Sequence, residues 1–334
     1  MRNLEDFLKP TQKKLFNLLS RKYWSKALIN EGGYILVPGE APVMLLAHLD
    51  TVHEKPVKHI CMSFDKNILM SPQGIGGDDR CGVYAIVKAH EASPVKPWLL
   101  FTCDEEIGGV GADIFADNHS KGNLPTSLDT LKLLIEIDRK GSKDAVYYNC
   151  DNSEFEAYII SKGFVTAYGS FSDISIIAPE LGVAAVNLSS GYYNAHTLHE
   201  YINRKQLEAV IRSIIGIIAD AAKPDFPRYE YIERIQRTKC LARTCDAWDL
   251  RTTLDNSDRF LASKSRAVDE TMLSDLPDDM LQMYSDLLEF YDQSELEWYR
   301  EEYGDQIIYQ LYAEEFGPSF DMPENYYEQT AIEW

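Results

Sequence analysis

The hydrophobic and polar positions divide the chain into two parts with different rhythms. Up to about residue 224, short apolar runs alternate with amphipathic stretches. Val43-Met44-Leu45-Leu46-Ala47-His48-Leu49-Asp50, Pro97-Trp98-Leu99-Leu100, Leu131-Lys132-Leu133-Leu134-Ile135-Glu136-Ile137-Asp138 and Val183-Ala184-Ala185-Val186-Asn187-Leu188 have the length and continuity of buried strands. Gly33–Pro38 and Ala145–Tyr148 predict further strands, and His59–Phe64 with Asn67–Met70 predicts a hairpin. Helices are predicted over Thr11–Tyr23, where Leu15, Leu18 and Leu19 recur at helical spacing, and from the turn at Gly82 through about Glu91. Others are expected from Ala112–Ala116 onward and over Ser153–Ser161, Asp173–Pro179 and Arg204–Ala222. Strands alternating with helices predict an α/β fold: a mostly parallel mixed sheet with helices on both faces.

Beyond Pro224 the rhythm changes. Residues 225–266 are weakly patterned, while Pro277–Tyr291 and Glu295–Glu315 predict helices rich in Asp, Glu, Tyr and Leu. The expected division is therefore a domain over 1–224 and a mainly helical C-terminal extension over 225–334. Charge sharpens it. The net charge of −20 is concentrated after Ala267, where 19 acidic residues face one basic residue, Arg300. Without a basic face, nucleic acid is not an expected partner. The acidic region is instead expected to serve self-assembly or a protein partner. No apolar run approaches the length of a membrane span and the N-terminus lacks a signal-type core, so the expected location is the cytoplasm. The six cysteines, Cys61, Cys81, Cys103, Cys150, Cys240 and Cys245, lack CxxC spacing, which argues against a disulfide framework and a thiolate metal site.

The chemistry concentrates at strand ends. In parallel sheets, ligands collect beyond the carboxyl ends of the strands. Here the strand ends carry His48 with Asp50, the acidic turn Asp104-Glu105-Glu106 before Gly108-Gly109, Asp138, and the loop to His196. Asp78 opens a helix after Gly74-Ile75-Gly76-Gly77. Taken singly, each has an ordinary reading: a satisfied buried imidazole, a solvated turn, a helix N-cap, a turn former before Lys140-Gly141. Together they are a donor set of oxygens and imidazoles suited to zinc, and also to manganese or cobalt. Asp78 is a candidate bridge between two ions, with His48 and Asp138 on one and Glu106 and His196 on the other. Glu105 is left as a general base, and Asp50 is placed to hold the second nitrogen of His48. His199 is an alternative to His196. His53, His59, His90 and His119 read as surface or packing residues.

The local sequences resemble the dizinc exopeptidase superfamily, nearest to the tripeptidase T and carboxypeptidase/aminoacylase group. The segments that carry the resemblance are His48-Leu49-Asp50-Thr51, Gly77-Asp78-Asp79-Arg80-Cys81-Gly82, Phe101-Thr102-Cys103-Asp104-Glu105-Glu106-Ile107-Gly108, Ile137-Asp138 and Gly191-Tyr192-Tyr193-Asn194-Ala195-His196-Thr197-Leu198-His199-Glu200. They occur in the family's order over roughly residues 30–222. The resemblance implies a zinc-exopeptidase-like fold and two zinc ions held as above, with Glu105 catalytic. It favours His196 by its spacing to Glu200, and implies a cis peptide at Asp78–Asp79 and a substrate contact at Asp173, within Ser170-Phe171-Ser172-Asp173. One feature departs from the tripeptidases. Only 58 residues separate Asp138 from His196, which leaves no room for their lid domain and is similar to the lidless bacterial leucyl aminopeptidases. The implied activity is that of a metallopeptidase, specifically an aminopeptidase, acting on peptides or small amides. The alternatives are an amidohydrolase that deacylates N-acyl amino acids, and a non-catalytic binding module on a peptidase fold.

Overall fold

A computed structural model describes residues 2–53, 55–169 and 171–234, with nine single positions further on: Met280, Met283, Tyr284, Leu287, Leu296, Arg300, Ile308, Leu311 and Tyr312. The chain divides into two compact units, Met1–Cys240 and Leu241–Trp334.

The first unit runs α1 (Glu5–Leu8), α2 (Gln12–Tyr23), β1 (Leu28–Asn30), β2 (Tyr34–Val37), β3 (Ala41–His48), β4 (Cys61–Met62), β5 (Ile68–Met70), α3 (Gly77–Ala92), β6 (Pro97–Thr102), α4 (Val110–Ser120), a 3-10 turn (Thr126–Thr130) and β7 (Leu133–Arg139). It continues with β8 (Asp144–Val146), α5 (Ser153–Ile160), β9 (Val165–Ala167), α6 (Ile174–Leu181), β10 (Ala185–Ser189), β11 (Tyr192–Tyr193), β12 (Tyr201–Asn203) and α7 (Arg204–Ala221). Eight strands form one sheet in the order β1-β2-β6-β3-β7-β10-β8-β9. Its centre, β6-β3-β7-β10, is parallel. Antiparallel pairs occur at β1–β2, β2–β6 and β10–β8. A second, antiparallel sheet has the order β11-β12-β5-β4 and contains the predicted hairpin.

The continuous apolar runs are explained by two cores, one on each face of the large sheet. Because side chains alternate along a strand, Val43, Leu45 and Ala47 join Leu99, Phe101, Leu133, Ile135 and Ile137 in a core with α2, α3, α5 and α7. Met44 and Leu46 join Trp98, Leu100 and Leu134 in the other, with Phe115 of α4 and Ile174 and Ile177 of α6. Helix ends match their sequence signals. The Thr11 hydroxyl accepts from the Lys14 N–H, and the Asn152 and Asn203 amides cap α5 and α7 in the same way. Elements that the pattern did not announce are short: α1, β1, β9, β11 and β12 have two to four residues and the 3-10 turn five.

The first unit continues past the change of rhythm at 224. Tyr229 accepts from the Ala184 N–H and donates to the Lys132 carbonyl, both at 2.9 Å. Its ring packs 5.1 Å from Phe155 and 5.8 Å from Tyr158, between centroids. In the second unit the nine described positions are all helical, and all but Arg300 are buried. They fall within the predicted stretches Pro277–Tyr291 and Glu295–Glu315, whose other positions lie outside the described residues, as do Cys240 and Cys245. Among the described residues, no helix is long and apolar enough to cross a membrane.

Candidate metal centre and active site

Parallel pairing places the chemically active strand ends side by side. His48 is the last residue of β3 and pairs with Thr102, the last of β6. On the other side Leu46 pairs with Glu136 of β7, so Asp138, two residues on, is level with His48. The acidic turn follows β6 directly. It bends with Asp104 at φ 59° and Gly109 at φ 71°, and the Asp50 carboxylate holds its backbone. Asp50 Oδ1 accepts from the Glu105 N–H at 3.1 Å and Oδ2 from the Glu106 N–H at 3.0 Å. Asp50 Oδ1 also lies 3.1 Å from His48 Nδ1, which leaves Nε2 facing the centre.

Asp78 and Asp79 share out two tasks. Both lie at the start of α3 with non-helical φ/ψ, and the peptide between them is cis, as expected. The capping role falls to Asp79, whose Oδ1 accepts from the Gly82 N–H at 2.9 Å. Asp78 is free to face the site. Its Oδ1 lies 3.2 Å from His48 Nε2, and its Oδ2 lies 3.2 Å from His196 Nε2. His48 Nε2 is also 3.5 Å from Asp138 Oδ1 and 3.9 Å from Glu105 Oε2. His196 Nε2 is also 3.2 Å from Glu106 Oε2. One carboxylate thus turns its two oxygens to two different imidazoles, each with a further carboxylate. His48 is buried; the His196 side chain is 58% exposed.

The electrostatics of this cluster are those of crowded anions. Burial pushes Glu105 up to about 9, opposed by His48 and reinforced by Asp173, Glu136 and Glu106. Burial, with Asp78 and Asp79, likewise holds Asp138 well above the carboxylate range. For Asp78 burial acts upward, but hydrogen bonds from His196 and His48 outweigh it and hold the group low. Hydrogen bonds donated to Asp78 and Glu106 raise His196 to about 11. Burial alone would lower His48, yet Asp138, Asp50 and Asp78 together hold it well above the usual value.

Other residues take part in ways that the sequence did not assign. Glu200 is fully buried and bonded to the turn before Asp78. His53, read as a surface or packing residue, lies 2.9 Å from Glu200 Oε2. Tyr192 donates its hydroxyl to Asp138 Oδ1 at 3.2 Å. Beneath the site, Ser172 donates to Glu136, and the Asn187 amide donates to Ser172, Tyr148 and the Asp138 carbonyl. Asp173 belongs to this buried layer. It is 1% exposed and accepts from the Thr102 hydroxyl through Oδ2, while its Oδ1 is buried without a hydrogen-bond partner. Ser170 lies outside the described residues. The interval from Asp138 to His196 holds β8, α5, β9, α6, β10 and β11, with no inserted domain.

Two groups of donors are close enough together to hold a metal ion. Atoms of His48, Asp78 and Glu106 lie within 4.8 Å of one another, as do atoms of His48, Asp79 and Asp138. Two ligands of one tetrahedral ion, each about 2.0–2.1 Å from it, stand about 3.3–3.4 Å apart. The four separations from the imidazoles to Asp78, Asp138 and Glu106 are 3.2, 3.5, 3.2 and 3.2 Å. A single ring N–H cannot serve two carboxylates well, whereas an ion can. Glu106 Oε1 and Asp79 Oδ2 are buried without a hydrogen-bond partner, which is costly unless a cation compensates.

The fold that carries this arrangement at its strand ends is similar to that of solved peptidases. Among solved structures, the chain is similar to the aminopeptidase PepT from Bacillus cereus, at 15% identity and a TM-score of 0.50, over 66% of this chain and 99% of that one. It is similar also to a tripeptidase from Staphylococcus aureus, at 15% identity and a TM-score of 0.50, over 66% of this chain and 96% of that one. At this identity the likeness establishes a peptidase fold; the reaction has to be argued from the site. No protein-family model matches the chain, and no curated protein matches it by sequence.

Proposed function

We propose that the chain is a metal-dependent exopeptidase of the cytoplasm, an aminopeptidase acting on peptides or small amides. The observation that carries this reading is Asp78, whose two oxygens face His48 and His196 separately. His48 and Asp138 would hold one ion, His196 and Glu106 the other, and Asp78 both; zinc suits these donors, with manganese or cobalt as substitutes. Ions held there would polarise the scissile carbonyl and make water more acidic.

Glu105 remains outside the ligand set and acts as general base. Burial and neighbouring carboxylates raise Glu105 in the metal-free protein; cations beside it would offset this and keep it ionised. Its carboxylate takes a proton from the attacking water as the water oxygen closes on the carbonyl carbon. It returns that proton to the amine nitrogen as the C–N bond breaks. Asp50 fixes this base through the Glu105 and Glu106 N–H groups and orients His48 through Nδ1. Carboxylates outnumber the two imidazoles and the buried Arg80 guanidinium clustered here, surroundings that favour a substrate's ammonium end over its carboxylate end.

The test is metal analysis of the purified protein together with hydrolysis of aminoacyl 4-nitroanilides, before and after stripping with a chelator. Two ions per chain, activity lost on stripping and regained with zinc, manganese or cobalt, and no cleavage of N-acetylated substrates are expected. Cleavage of N-acyl amino acids alone would reassign the protein as a deacylase. Absence of both metal and hydrolysis would leave a binding module.

A further inference from the structure

We propose that Glu200 is a positioning residue that sets the approach of the His196 loop to Asp78, with His53 holding it in place; this rests on the metal-pair reading above. Asp78 and His196 come from segments more than a hundred residues apart, yet their facing atoms must stay about 3.3 Å apart to share an ion. Glu200 is the direct link between them. It lies four residues after His196, in the loop between β11 and β12. Its Oε1 accepts from the Asp78 N–H at 2.9 Å, and its Oε2 from the Gly76 N–H at 2.8 Å. One carboxylate therefore bolts the backbone of the bridging residue to the loop that carries the opposite ligand.

The surroundings are built for this contact. A Cβ at Gly77 would stand 2.7 Å from Tyr192 Cβ and 3.1 Å from Glu200 Oε1, so a glycine there lets the carboxylate reach the backbone. At its base the loop is closed by the Tyr193–Tyr201 pair of β11 and β12, whose rings stack at 4.9 Å. Further out, Asn194 and His196 adopt positive φ, and His196 is largely exposed. Packing alone therefore holds the imidazole weakly. His53 completes the arrangement with Nε2 2.9 Å from Glu200 Oε2. An ionised carboxylate only accepts, so this ring nitrogen is the donor.

The experiment measures Zn2+ affinity by chelator competition on metal-free full-length protein, with the unfolding midpoint of the same samples. E200Q replaces one acceptor oxygen by a donor and cannot serve both N–H groups. It is expected to weaken retention of zinc about 10- to 100-fold, the usual effect of losing a partner that orients a metal ligand. H53A is expected to weaken it severalfold, and H53Q, which keeps a donor, to stay near wild type. A purely structural Glu200 would lower the unfolding midpoint and leave the zinc affinity of the folded protein unchanged; that result overturns the proposal. If E200Q does not fold, H53A and H53Q decide: a loss in the first restored in the second supports the proposal, and equal affinities overturn it. A wild-type protein that binds no zinc overturns the metal-pair reading and this inference together. A wild type with two ions and an unaltered E200Q overturns this inference alone.

Discussion

Replacing Asp50 by Asn tests the site's architecture without changing its shape. The carboxylate meets three donors: His48 Nδ1 at 3.1 Å, the Glu105 N–H at 3.1 Å and the Glu106 N–H at 3.0 Å. Burial works against its charge, but His48 and the two N–H groups outweigh burial and hold it below the ordinary carboxylate range. Asparagine has one oxygen and one NH2. Whichever way the amide turns, its NH2 faces a donor. At least one backbone N–H of the catalytic turn then lacks an acceptor, at about 1–3 kcal/mol. His48 loses a charged acceptor for a neutral one, which roughly halves that bond. Zinc affinity should fall about 10- to 100-fold, equivalent to about 1.4–2.7 kcal/mol at 1.36 kcal/mol per decade. Chelator competition reads the loss of zinc affinity, and urea unfolding of the metal-free protein reads the cost of the unpaired N–H. A D50N protein with wild-type zinc affinity and midpoint would refute the role assigned to Asp50.

Three further outcomes are expected. E105Q should keep both ions and the unfolding midpoint but lose about 10²- to 10⁴-fold in kcat, since the backbone of Glu105 is held by Asp50 and not by its own side chain; full turnover would remove Glu105 from the mechanism. The metal-free protein should lose stability as pH rises from about 4.5 to 9. Glu105 and His196 have raised folded-state values, about 9 and about 11, so the folded state binds more protons than the unfolded chain and stability falls with pH. Urea midpoints in chelator at pH 5.5, 7 and 8.5 check the sign, and a rising series contradicts it. Y229A removes a buried ring that packs on Phe155, Tyr158 and Phe226 and should cost about 3–5 kcal/mol; a loss below about 1 kcal/mol in denaturant unfolding would mean that this segment adds little to the first unit.

His48 and Asp138 were legible in the sequence because they end runs that are otherwise apolar, while Asp78, Glu106 and His196 were singled out by the resemblance of their segments. A buried strand that ends in His48 or Asp138 announces its carboxyl end, and a parallel sheet gathers such ends on one edge. Local spacing also sufficed for the helices with clear caps, such as the one opened by Thr11. The short elements escaped because two to five residues carry no measurable period.

What the sequence determined by itself was an α/β unit with its polar chemistry at strand ends, since burial on both faces and alternation of strand and helix are local properties of the chain. The tertiary structure alone decided which groups meet. Asp79 rather than Asp78 caps the helix, Asp173 drops beneath the sheet's edge beside Thr102, and Glu200 reaches the Asp78 N–H across the fold. The last two contacts join segments remote in sequence, and the first, though local, leaves Asp78 free only because the fold brings His48 and His196 to it; strand register and packing, rather than any residue's own preference, set all three.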